Sequence, residues 1–145
     1  MYKHILIPTD GSEASAAAIA EAVKFAREIG ATITGIHVMP EMSPYAYEAE
    51  VLADTFEQFN RATEDCGKAF LGVLAEAAKE AGIGYSQVCV RSAQPYQAII
   101  DTAVAEKCDL IAMASHGRKG IKGFLLGSET QKVLTHSKIP VLVLR

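Results

Sequence analysis

Short apolar runs alternate with longer segments whose apolar residues recur at helical spacing. The first run is His4-Ile5-Leu6-Ile7, closed by Pro8. After Thr9-Asp10-Gly11-Ser12 an alanine-rich segment places Ile19, Ala22, Val23 and Ala26 on one helical face, with Gly30 as its C-cap. A second strand is expected over Thr32 to Val38, followed by an irregular stretch from Met39 to Tyr47 that contains Pro40 and Pro44. Glu48 to Ala81 reads as helix, with Phe70, Leu71, Leu74, Ala77, Ala78 and Ala81 as its apolar face and Gly67 as an interruption. Strand three is expected at Tyr85 to Val90. The helix opening at Pro95 then carries Ile99, Ile100, Ala103 and Val104. Leu110 to Ala114 is apolar on both faces, as a central strand covered by helices should be. A short helix from Glu129 to about Ser137 and a last strand, Val141 to Leu144, complete the chain.

The order β-α-β-α-β-α-β-α-β predicts an α/β protein: a doubly wound, five-stranded parallel sheet with helices on both faces, in one domain over residues 1–145. Ligands of such sheets bind beyond the carboxyl ends of the strands, where the winding reverses. One candidate lies there. The stretch ASHGRKGIKGFLLGSET, residues 114–130, holds four glycines and the cations Arg118, Lys119 and Lys122, and its first acid is Glu129. It contains neither of two familiar phosphate motifs. The Gly-Lys pair Gly67-Lys68 precedes Ala69 rather than Ser or Thr, and glycines at 117, 120, 123 and 127 do not spell GxGxxG. Successive glycine amides nonetheless form an anion-receptive nest, and the loop runs into a helix whose free N–H groups favour negative charge.

Two residues carry competing readings. Ser128-Glu129-Thr130-Gln131 fits a capping box with Ser128 as N-cap, or Ser128 contacts a phosphate. Asp10 either caps the first helix, with Glu13 completing a box, or accepts hydrogen bonds from ribose hydroxyls at the mouth of strand one. If strands one and four are neighbours, Asp10 and the glycine loop flank one crevice suited to a phosphorylated ligand.

Composition narrows the function classes. Fourteen Lys and Arg against 17 Asp and Glu leave a net charge of -3, which gives no general affinity for nucleic acid. No apolar run reaches the roughly 20 residues a membrane span needs, and the N-terminus does not read as a signal peptide, so a cytoplasmic protein is expected. Cys66, Cys89 and Cys108 form no CxxC pair and are expected to be buried free thiols. The four histidines show no zinc-ligand spacing. No nucleophile is paired with a base, so no catalytic residue is assigned, and at most slow hydrolysis of a bound phosphorylated ligand is expected.

Ile5-Leu6-Ile7-Pro8-Thr9-Asp10-Gly11-Ser12 resembles the opening of universal stress proteins, and Ile36-His37-Val38 resembles the end of their second strand. Ser115-His116-Gly117 through Leu126-Gly127-Ser128 to Ile139-Pro140-Val141-Leu142-Val143-Leu144 resembles the most diagnostic part of that family. ATP-binding members carry Gly-x2-Gly-x9-Gly-Ser/Thr. Gly117, Gly127 and Ser128 match its last three elements, and Ala114 replaces its first glycine. The resemblance implies a stress-response regulator or binding module that binds ATP, with Mg2+ or Mn2+ held by the phosphates. It implies Asp10 at the ribose, Val38 meeting adenine through its backbone, and Gly117, Gly127 and Ser128 at the phosphates. Pro8 and Thr9 would shape the mouth, and the charge of Arg118 suits the triphosphate path. Ala114, His116, Gly120, Glu129 and Thr130, from the same loop and helix entrance, complete the candidate set. The resemblance also implies a homodimer, in keeping with a final strand that is apolar on both faces and hazardous as a bare sheet edge; an interior position for that strand is the alternative. A protein of the same fold that acts through partners without ATP is the competing function.

Overall fold

The computed structural model describes residues 1–42, 53–117 and 126–145. Its elements are β1 (His4–Pro8), α1 (Glu13–Ile29), β2 (Thr32–Met39), α2 (Ala53–Ala81), β3 (Tyr85–Arg91), α3 (Pro95–Ala105), β4 (Leu110–Ala114), α4 (Ser128–His136) and β5 (Val141–Leu144). The expected order holds throughout. The expected helix start at Glu48 and most of the Met39–Tyr47 stretch lie outside the described residues, as do Arg118 and Gly120.

The strands form one parallel sheet in the order β3-β2-β1-β4-β5. The chain winds outward from β1 to β3, then crosses back to place β4 on the other side of β1. Ile5 pairs with Leu110 and Leu6 with Ile111 across that junction. The reversal therefore falls between β1 and β4. β5 lies at an edge, which excludes an interior position for it.

Side chains alternate across the sheet and sort into two cores. Ile5, Ile7, Ile33, Leu110 and Ala112 pack with Ile19, Ala22, Val23 and Ala26 of α1 and Leu74 of α2. Leu6, Ile36, Ile111 and Met113 turn the other way, onto Ile99 and Ala103 of α3 and Val133 of α4. Ile5 and Ile7 thus serve one core and Leu6 between them the other, the period-two consequence of a pleated strand. Every large buried side chain contributes on the order of 1.5–3 kcal/mol.

Several local expectations need correction. Gly67 does not interrupt α2, which runs unbroken through it. A Cβ there would lie 2.8 Å from Cys89 Sγ and 3.1 Å from His37 Cδ2, so the glycine lets the helix approach the sheet closely. Val104 is 64% exposed rather than part of the α3 core face, where Thr102 is buried instead. Cys66 and Cys89 are exposed, and only Cys108 is buried among the three free thiols. Burial pushes the Cys108 thiol up to about 11, so it stays protonated at neutral pH. Among the described residues, no helix is long and apolar enough to cross a membrane.

Candidate functional site

The β1 exit is built around Thr9. Its amide donates to Ile36 O at 2.9 Å, and its carbonyl lies 2.8 Å from His37 Nδ1. Its hydroxyl accepts from Ser15 Oγ at 2.9 Å and from Gly11 N at 3.3 Å. Thr9 is buried, so it shapes the turn with every polar group already engaged. Pro8 pairs with Ile36 at the last register position of β1.

Asp10 follows, half-buried, with Oδ1 accepting from Ser12 N at 3.0 Å. This short side-chain turn is a common habit of aspartate. Asp10 is not the cap of α1. Ser12 is, its side chain accepting from Ser15 N, and Glu13 is the first helical residue rather than the partner in a box. Gly11 adopts φ 76, and a Cβ on it would run into the Phe70 ring of α2. Glycine is required there on both counts.

Beyond β4 the chain reaches Ser115, His116 and Gly117, all half-buried. Ser115 Oγ and His116 Nδ1 lie 3.0 Å apart. Gly117 lies against the Asp10 carboxylate, because a Cβ on Gly117 would strike Asp10 Oδ2. The two ends that the sequence could only pair conditionally therefore touch across the β1–β4 junction. The chain returns at Leu126 and Gly127. Gly127 N donates to Ser115 O at 2.7 Å, and a Cβ on Gly127 would meet His116 Cα at 3.0 Å. Gly127 has φ -59, so close backbone crossing, not a left-handed turn, makes glycine necessary.

The start of α4 also departs from expectation. Gly127, not Ser128, occupies the N-cap, with no side-chain cap bond; Gln131 N donates to Gly127 O at 3.0 Å. The capping-box reading of Ser128 is set aside. Ser128 is exposed at the first turn. Thr130 is buried, its hydroxyl donating to Ala114 O at 2.9 Å. Glu129 Oε2 accepts from Tyr96 N at 2.9 Å. Ala114 ends β4 opposite Leu144, in extended backbone without a positive φ. Its methyl thus imposes no backbone strain, and only space beside the strand end is at issue.

Val38, near the end of β2, lines a cleft of about 360 Å³ together with Pro40, Glu41, Met42, Ser92, Ala93 and Pro95. Ser92 N donates to Met39 O at 3.1 Å and Arg91 Nη1 to Pro40 O at 2.7 Å, which pins the two walls together. The family resemblance implied Val38; the wall from the β3 exit had no signal in the sequence, because Ser92-Ala93-Gln94 carries no distinctive pattern.

These features define a doubly wound α/β protein whose strand ends open on a crevice at the point of reversal. The sequence profile of the universal stress protein family matches residues 1–145, and the chain belongs to that family. It is 32% identical to Universal stress protein MJ0531 of Methanocaldococcus jannaschii, over 100% of this chain and 83% of that protein. A universal stress protein of Thermus aquaticus is also 32% identical, over 100% of both chains. The solved structure of MJ0577, also from Methanocaldococcus jannaschii, superposes with a TM-score of 0.81 at 31% identity, covering 99% of this chain and 96% of that one.

The Gly127 crossing yields a direct expectation. Gly127→Val forces two backbone segments apart and lowers stability by about 1–3 kcal/mol. Urea denaturation monitored by circular dichroism measures it, and an unchanged midpoint would show that the crossing is loose.

Proposed function

We propose that this universal stress protein is a cytosolic, ATP-binding stress-response module of one domain, acting as a homodimer. The observation that carries the reading is the contact between Asp10 and Gly117 at the β1–β4 reversal, with the Val38 cleft opening from β2 on the same sheet. A universal stress protein solved in complex with cAMP supports an adenine nucleotide: it is 28% identical, with a TM-score of 0.71 over 99% of this chain and 97% of that one.

The residues present fit the nucleotide. The Val38 cleft, which sets Pro40, Met42, Ala93 and Pro95 beside the polar Glu41 and Ser92, takes the base. Asp10 accepts from the ribose hydroxyls. Gly117 and Gly127, which leave backbone bare where a Cβ would intrude, together with Ser128 at the α4 N-terminus, receive the phosphates. The positive charge of Arg118, next in sequence to Gly117, suits a phosphorylated ligand. A divalent cation would be held by the phosphates themselves. The function is binding, with stress signalling through partner proteins. The replacement of the first family glycine by Ala114 favours a second reading, in which the same fold works without ATP.

The β5 edge supports the dimer. Pro140 O and Leu144 O accept from Ile111 N and Ser115 N, so the intervening Val141 and Val143 direct their backbone groups outward. Two such edges joined across a two-fold axis cover each other.

Isothermal titration of nucleotide-free protein with ATP and magnesium tests the binding claim. Wild type releases or takes up heat on saturation, and Asp10→Ala weakens affinity about tenfold or more, as expected for lost hydrogen bonds to a charged group. Absence of any heat from wild type would falsify ATP binding. Sedimentation tests the dimer. Val143→Pro removes an outward N–H while leaving the ladder to β4, and the protein is expected to sediment as a monomer; an unchanged dimer would place the interface elsewhere.

A further inference from the structure

The start of α3 is poorly equipped to satisfy itself. Gln94 occupies its N-cap without a side-chain bond, and Pro95 at the first turn has no N–H. Tyr96 presents the next amide, and its partner comes from another helix: Glu129 Oε2 at 2.9 Å. The carboxylate stands at the positive end of the α3 dipole. Its other oxygen lies 3.2 Å from Lys132 Nζ, the same ammonium that sits 5.5 Å from the centroid of the Tyr96 ring. His136 packs on that ring at 5.4 Å. Residues 129, 132 and 136 fall on one face of α4, and together they grip Tyr96.

Both ends of this grip reach the candidate site. α4 is bolted to the β4 exit by Gly127 N on Ser115 O and by Thr130 Oγ1 on Ala114 O, which fixes the helix to the backbone that flanks Asp10. Pro95, the neighbour of Tyr96, lines the cleft opposite Val38. Glu129 therefore adds a polar link between α4 and the helix start that carries Pro95, beside the core shared by Ile99, Ala103 and Val133.

We infer that Glu129 is a positioning residue: it ties the phosphate-side helix to the base-side wall, so that the two halves of the nucleotide crevice keep a fixed separation. The inference rests on the nucleotide reading above. It also accounts for an acid one residue from the proposed phosphate position. The charge of Glu129 is met by the α3 N-terminus and Lys132, rather than opposing the ligand.

Glu129→Ala and Glu129→Gln separate this role from its rivals. Glutamine keeps an oxygen that can accept from Tyr96 N; alanine does not. Hydrogen exchange at the Tyr96 amide needs no ligand and is expected to speed up about tenfold in Glu129→Ala and to stay near the wild-type rate in Glu129→Gln. ATP affinity, measured by titration of the intact 145-residue chain, is expected to fall about tenfold in the alanine variant, with recovery in the glutamine variant to within about threefold of wild type. A tighter grip on ATP in Glu129→Ala overturns the inference, because that is the signature of a carboxylate facing the phosphates. Unchanged affinity in Glu129→Ala overturns it as well. A wild-type chain that takes up no ATP overturns the nucleotide reading. The tie is then judged by Tyr96 exchange alone, and equal rates in wild type and Glu129→Ala dispose of it.

Discussion

The pairing of β1 with β4 is the constraint on which the rest depends. Ile5 opposite Leu110 and Leu6 opposite Ile111 join strands more than 100 residues apart in the chain. Because β2 already occupies the other side of β1, the loops leaving β1 and β4 diverge to opposite faces of the sheet. The divergence opens a crevice at the carboxyl ends of these two strands. Loop closure over such separations costs entropy, and it is offset by the two cores that β1 joins through Ile5 and Ile7 on one face and Leu6 on the other.

Within that crevice, glycine marks the places where backbone passes close to other atoms. Gly117 abuts Asp10, Gly127 crosses His116, and Gly11 lies on the Phe70 ring. The polar groups of Thr9 and Thr130 are spent on neighbouring backbone and side chains, which leaves the turn rigid and the strand exits held in place. Rigid supports beneath a glycine-lined opening are what preorganised anion binding requires. Glu129 extends the framework sideways, from the β4 exit to the cleft wall at Pro95.

Much of the fold was legible from the sequence because both of its periods are strongly written. The alternation of β-rich runs with alanine-rich helical faces set the element order, and Leu110 to Ala114, apolar on both faces, marked the buried central strand. Boundaries shifted by a residue or so, as at Met39, Arg91 and Ser128. What could not be read depends on partners distant in sequence. Ser12 rather than Asp10 caps α1, while the Asp10 carboxylate accepts from Ser12 N and meets Gly117, a neighbour 107 residues away in the chain. Gly67 reads as a helix breaker until the proximity of Cys89 and His37 explains it. Glu129 reads as one of the candidate ligand residues at the helix entrance, because nothing local announces a bond to Tyr96, 33 residues earlier.

A crystal structure of the protein saturated with ATP and magnesium tests the central claim most directly. The account predicts the base against Val38, the ribose hydroxyls on the Asp10 carboxylate, and the phosphates between Gly117 and the Gly127–Ser128 turn. Nucleotide bound away from the β1–β4 reversal, or a crevice left empty at saturating ATP, would contradict it.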